Sequence, residues 1–179
     1  MRNPTALFAS LALLGALALV VVGGAGGAEA KKPPKGKPSL SATPVFKLRL
    51  KPSQEVPAIK SLRADAVGSV TFDLTRDSTG TITSGEVIFY FNYAFPGSVS
   101  VTGLHVHEGA KGVNGPIVVS SGAAAVDADG VGNLTAVVPG TPSVLQAILD
   151  DPRGYYVNLH TSVNPGGALR AQMHNPKKR

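Results

Sequence analysis

Residues 155–174, YYVNLHTSVNPGGALRAQMH, decide the fold class because polar and apolar residues alternate on both sides of a turn. Side chains two positions apart lie on the same face of a β-strand, so each half predicts a strand with one apolar face. The turn at 162–167 contains Asn, Pro and two Gly, the residues that tight turns favour. The segment therefore predicts an antiparallel hairpin, and its core side consists of Tyr155, Val157, Leu159, Leu169, Ala171 and Met173.

The same alternation recurs along the chain and predicts eight or nine short strands. They are expected at 45–51, 68–76, 86–93, 99–107, 116–121, 123–126, 132–138, 155–161 and 168–174. The first alternates with Lys and Arg, which is typical of a sheet edge. One helix is expected, with Thr141 as its cap, Pro142 at its first position and its end before Pro152. The fold class is all-β: an antiparallel β-sandwich or a flattened Greek-key barrel with one short crossover helix.

The two ends of the chain differ from this pattern. A weakly basic start, an apolar run at 6–22 and the sequence Ala28-Glu29-Ala30 predict a signal peptide at 1–30; an uncleaved membrane anchor is the alternative. A Lys-, Pro- and Gly-rich linker is expected at 31–44, the domain at 45–174 and a basic tail at 175–179. We expect a secreted protein without a membrane span once the signal peptide is removed.

Composition excludes several functions. The chain has 179 residues, no cysteine and a formal net charge of +6, much of it in the tails. Without cysteine there is no thiol catalysis and no thiolate zinc site. The basic residues of the domain are not interleaved with aromatics, which argues against nucleic-acid binding. Because no activated nucleophile pattern is present, we expect a non-enzymatic module. It would be a monomer whose partner is an extracellular protein or a cell-surface polymer.

The four histidines support an alternative hypothesis, in which the protein binds a metal ion. If Leu104 and Val106 face the core, His105 and His107 share the opposite face of their strand. The same parity puts His160 and His174 on polar faces, so we expect all four to lie on the wet exterior. A His-x-His pair supplies two ligands for copper or zinc, and a third would come from His160, His174 or a carboxylate.

Two loops are the predicted contact surfaces of the binding-module hypothesis, since loops on a rigid scaffold often carry function. Their residues are Asn114, Gly115, Pro116, Asn164, Pro165 and Gly166.

Three motifs in order, LRLKPSQEVPAI at 48–59, GLHVHEGAKGVNGPIVV at 103–119 and GYYVNLHTSVNPGGALRAQM at 154–173, resemble the CHRD domain. The resemblance covers about 45–174 and implies an immunoglobulin-like or Greek-key β fold outside the cell. The family usually has a glutamate after the Asn-Pro turn, where this chain has Ala168, so any role of that glutamate does not carry over.

A second, fainter similarity is to the copper strand of copper-zinc superoxide dismutases, which also has His-x-His-Glu before a glycine-rich loop. It implies a superoxide-dismutase-like sandwich with His105 and His107 as copper ligands. The bridging histidine, the zinc ligands and the disulfide of that family have no counterparts here. The similarity therefore does not imply superoxide dismutation, and it leaves open a single-copper site.

Overall fold

The computed structural model describes residues 43–176, which form nine β-strands, one α-helix and two single-turn 3-10 helices. The strands are β1 Val45–Leu50, β2 Asp65–Arg76, β3 Ile82–Ala94, β4 Val99–Glu108, β5 Ile117–Ser120, β6 Ala125–Asp127, β7 Val131–Pro139, β8 Tyr155–Thr161 and β9 Leu169–Gln172. The helix α1 spans Pro142–Asp150, and the 3-10 turns span Pro52–Gln54 and Pro152–Gly154. The predicted signal peptide, nearly all of the linker and the last three residues lie outside the described residues.

Two antiparallel sheets form the domain, as the alternation predicts. The first has the order β1-β2-β3-β7, and the second has the order β5-β4-β8-β9 with β6 paired to the start of β4. The chain changes sheets between β3 and β4, between β6 and β7, and between β7 and β8. β1 lies at an edge, as its charged face predicts.

The flattened-barrel alternative is wrong, because the two sheets do not close on each other within residues 43–176. One isolated bridge joins them, in which Lys51 and Arg170 exchange backbone hydrogen bonds of 2.9 and 3.2 Å. The outer edges, β5 and β7, do not pair with one another. The fold is therefore the sandwich.

The core lies between the sheets and consists of the apolar positions of the alternating strands. Phe89 and Phe91 of β3 face it from one side, and Leu104 and Val106 of β4 face it from the other. Val157 and Leu159 of β8 are also fully buried. Each such side chain contributes about 1.5–3 kcal/mol when it leaves water, so the domain has a core that needs no disulfide.

Helix α1 makes the predicted crossover between β7 and β8. It buries Leu145 and Ile148, and Pro142 occupies its first position as expected. Thr141 is the N-cap residue, as predicted, but its side chain makes no capping hydrogen bond, and its backbone carbonyl accepts from the Leu145 N–H at 3.0 Å. In residues 43–176 no helix has both the length and the apolar composition that crossing a bilayer requires.

The expectation that every histidine lies on the wet exterior is wrong for two of the four. His107 and His160 are 7% and 9% exposed, and His105 is half-buried. The predicted side-chain directions are right, since Leu104 and Val106 do face the core. The histidines are buried because the opposite face of the second sheet is covered by other segments. The segment 52–56 and the loops 109–116 and 162–167 fold back over it, where Glu55 contacts Asn158, the Gly115 carbonyl contacts His107 and the Pro165 carbonyl contacts His160.

Candidate metal centre

Strands β4 and β8 bring three imidazoles together on the covered face of the second sheet. His105 and His107 come from β4, and the antiparallel register places Gly103 opposite His160 and His105 opposite Asn158. Because Gly103 has no side chain, the His105 ring lies over its Cα and reaches towards His160. The ring centroids of His105 and His160 are 4.8 Å apart, and those of His107 and His160 are 5.5 Å apart.

One ligand nitrogen from each ring lies within 4.8 Å of the other two. The shortest separation is 3.3 Å, between Nε2 of His107 and Nε2 of His160. Within residues 43–176, this is the one group of three or more His, Asp or Glu side chains whose ligand atoms approach so closely. The structure therefore joins the His-x-His pair to a third histidine, His160.

Two backbone carbonyls fix which nitrogens are free. Nδ1 of His107 lies 3.0 Å from the Gly115 oxygen, and Nδ1 of His160 lies 2.9 Å from the Pro165 oxygen. A carbonyl oxygen can only accept, so both Nδ1 atoms donate and carry the proton. In the neutral rings each Nε2 is then an unprotonated lone pair, and the two lone pairs face each other.

Burial favours the neutral form of His105 and of His107. It lowers the pKa of His105 to about 4, and the neighbouring His160 and His107 add to the effect. Burial also lowers the pKa of His107 against the hydrogen bond to Gly115 that raises it, and His160 and Arg170 add smaller lowering contributions. Neutral imidazole is the form that binds metals.

A stack of side chains lies beside the cluster. The rings of His107 and Tyr156 are parallel to within 11°, with centroids 4.8 Å apart, and the Arg170 guanidinium lies 3.4 Å from the Tyr156 centroid. Arg170 is 1% exposed. It donates to the carbonyl oxygens of Ala110 and Val113 and to the Asn114 side chain, so it holds the loop that supplies the Gly115 carbonyl.

Three buried polar atoms in the same layer have no hydrogen-bond partner: Oε1 of Glu55, Oδ1 of Asn158 and Nδ1 of His105. Asn158 pairs with His105 across the strands, and its Nδ2 donates to Oε2 of Glu55 at 3.4 Å. Burial raises the pKa of Glu55 to about 7, although the charge of Arg170 and the bond from Asn158 lower it. Buried polar atoms without a hydrogen-bond partner are uncommon in folded proteins, so each of these three calls for a physical explanation.

The remaining predicted site residues are His174 and those of the two contact loops. His174 is exposed after β9 and is not part of the three-histidine group. Both predicted contact loops lie against the group, since Gly115 and Pro165 supply the carbonyls. Asn114 donates to the Val56 oxygen at 2.7 Å, and the Pro116 oxygen accepts from Glu108 N–H at 3.0 Å. Asn164 and Gly166 belong to the turn that carries Pro165, where the Asn164 oxygen accepts from Gly167 N–H at 3.1 Å.

Sequence reasoning missed four neighbours of the cluster, namely Glu55, Tyr156, Asn158 and Arg170. For three of them a signal existed, since Tyr156, Asn158 and Arg170 share the parity of the histidine face. Glu55 gave no such signal because it approaches Asn158 from 103 residues away.

The model of one protein family, described as the CHRD domain, matches residues 46–173 of the chain. No curated protein matches the chain, and no solved structure matches it.

Proposed function

The chain belongs to the CHRD domain family, and from that premise we propose that it is an exported, non-enzymatic module that binds one copper or zinc ion. The ligands are the imidazoles of His105, His107 and His160. The family match supports a domain of this kind outside the cell, and the signal-peptide pattern at 1–30 supports export.

The observation that carries the proposal is the 3.3 Å approach of two Nε2 atoms whose rings both donate through Nδ1. Two neutral imidazoles in this tautomer repel each other, because neither Nε2 has a proton to share. Either a proton or a metal ion between them removes the repulsion. Burial lowers the pKa of His107 and so disfavours a proton on its Nε2, whereas a metal ion would form a bond with both nitrogens, and this is the arrangement we propose.

The distance also fits a metal. Two nitrogens that bind one tetrahedral ion at 2.0–2.1 Å are about 3.3–3.4 Å apart. The carbonyls of Gly115 and Pro165 supply what metal-binding histidines need from their surroundings, an acceptor for the second ring nitrogen that fixes tautomer and orientation. In this proposal the two loops predicted as contact surfaces form the walls of the metal site.

His105 completes the set. Its Nε2 lies on the side of the ring nearest Gly103, the residue opposite His160, and its Nδ1 is buried without a partner. If Nε2 of His105 binds the metal, Nδ1 is on the other side of the ring and carries the proton. That N–H then needs a hydrogen-bond acceptor. The unpaired Oδ1 of Asn158 is the cross-strand neighbour that can provide one.

The test is a titration of the purified protein with copper and with zinc, using competing chelators to measure affinity. We expect one ion per chain with submicromolar affinity. The double variant His105→Ala/His107→Ala should lose that affinity by at least about 100-fold, whereas His174→Ala should keep it, because that exposed histidine lies outside the group. Far-UV circular dichroism of the metal-free variants checks folding. Weak binding that survives the double substitution would remove the proposal.

A further inference from the structure

We propose that the three-histidine site selects monovalent copper, Cu(I), over divalent ions, because the buried guanidinium of Arg170 places a positive charge behind His107. The inference rests on the metal-binding function proposed above and names the ion that the site takes. It follows from the charge of the surroundings, since imidazole itself accepts copper and zinc alike.

The ligand group contains imidazoles and no carboxylate. Three neutral imidazoles leave the full charge of the ion on the site, +1 for Cu(I) and +2 for Cu(II) or Zn(II). His107 and His160 are buried, and a buried charge costs more the larger it is and the less it is paired. The ligand set alone therefore disfavours the divalent ions relative to a site with an anionic ligand.

Arg170 adds to this effect. Its guanidinium carbon lies 3.4 Å from the Tyr156 centroid, and that ring lies 4.8 Å from the His107 ring, so the charge is within about 8 Å of the centre of His107. At an effective dielectric constant of about 20, a unit charge 8–10 Å away disfavours one additional positive charge by about 15- to 30-fold. The stacked rings between the two groups exclude water from the direct path.

Arg170 keeps this charge without a paired carboxylate. It donates to neutral oxygens of Ala110, Val113, Asn114 and Gln172, and among the described residues no carboxylate lies within 4.0 Å of it. Glu55 is an acidic group that interacts electrostatically with Arg170; it contacts Asn158 and is not in the ligand group. The negative charge of Glu55 weakens the field of Arg170, so removing Glu55 and removing Arg170 should change the preference for Cu(I) in opposite directions.

The first experiment compares ions on the wild-type protein. Cu(I) affinity is measured without oxygen, in ascorbate, by competition with bathocuproine disulfonate, and Zn(II) and Cu(II) affinities are measured by competition with their own chelators. We expect Cu(I) to bind more tightly than Zn(II) by at least the roughly 15- to 30-fold that the charge of Arg170 supplies. Tight Zn(II) binding equal to that of Cu(I) would overturn the selectivity and leave the metal site in place. Failure of every ion to bind would remove both proposals.

The second experiment changes the charge. Arg170→Met should reduce the ratio of Cu(II) to Cu(I) dissociation constants by about 15- to 30-fold, and Arg170→Lys, which keeps a cation, should restore most of it. Glu55→Gln at pH 8 should increase the ratio, because it removes a negative charge. This variant tests the proposal even if Arg170→Met does not fold, which matters because Arg170 also holds the loop 109–116. A ratio unchanged in folded Arg170→Met, or shifted the same way by both substitutions, would contradict the proposal.

Discussion

Glu55 is an acidic residue held where its charge is poorly accommodated. It is 7% exposed, one carboxylate oxygen has no partner, and burial raises its pKa from 4.5 to about 7. Between these two pKa values the folded protein keeps a proton that the unfolded chain releases. The contribution of Glu55 to stability is therefore present below pH 4.5 and is lost as pH rises through 7.

Glu55→Gln should for this reason gain stability relative to the wild type as pH rises from 5 to 8. The expected gain is about 1–2 kcal/mol after allowance for solvent screening, because glutamine has no charge to bury. Urea unfolding at pH 5, 6, 7 and 8 measures the difference. The matched control is Glu86→Gln, the same change at an exposed position of β3, which should follow the wild-type profile. A difference between Glu55→Gln and wild type that does not vary with pH would contradict the account.

For an individual residue, the sequence predicts which face of a strand its side chain occupies but not which other segments cover that face. Leu104 and Val106 are sufficient to place His105 and His107 together, because side-chain direction in a strand alternates strictly. Burial of the same histidines depends on loops that return from elsewhere in the chain. The Pro165 carbonyl is five residues from His160, but the Asn158 partner Glu55 is 103 residues away. No local pattern encodes that approach.

Among the elements, β4 shapes the site most directly, through a glycine as well as through its histidines. A Cβ on Gly103 would come within 2.6 Å of Cε1 and 2.8 Å of Nε2 of His105. The atoms in the way belong to the end of a side chain and not to the backbone. The strand can therefore accept a methyl group here, but the His105 ring has to move.

Gly103→Ala should separate metal binding from folding. We expect metal affinity to fall by about 10-fold or more, because a displacement of about 1 Å in a positioned group costs function heavily, while the free energy of unfolding changes by less than about 1 kcal/mol. Chelator competition and urea unfolding on the same preparation give both quantities. Gly97→Ala is the control, since a Cβ there meets nothing within 4 Å. Undiminished metal affinity in Gly103→Ala would show that the absence of a side chain at Gly103 does not determine the position of the His105 ring.

The elements themselves are the part of the fold that the sequence predicts best. All nine expected strands and the helix are present, with several bounds differing by one to four residues. Alternation defines a strand locally, which explains this success. Whether the sheets close depends instead on which edges meet, and the edges β5 and β7 carry no pattern that distinguishes an open sandwich from a flattened barrel.

For the molecule as a whole, the three-histidine group joins parts of the chain that are distant in sequence. It links β4 to β8, the Gly115 carbonyl to β4 and the Pro165 carbonyl to β8. Without a metal ion, the facing Nε2 atoms of His107 and His160 oppose this arrangement. In the proposed site a bound ion would replace this repulsion with two bonds, and it would bind the folded chain more tightly than the unfolded chain, which does not hold the three rings together.

Metal should consequently stabilise the whole domain. At a free metal concentration of 100 times Kd, mass action adds about 2.7 kcal/mol, which corresponds to roughly 10 °C in Tm for a domain of this size. Differential scanning calorimetry of the wild type with and without metal measures the shift. Because His160→Ala also removes a buried side chain and its hydrogen bond to Pro165, the quantity to compare is the metal-induced shift within each variant. That shift should vanish in His160→Ala and remain complete in His174→Ala, and equal shifts in the two variants would place the ion elsewhere on the protein.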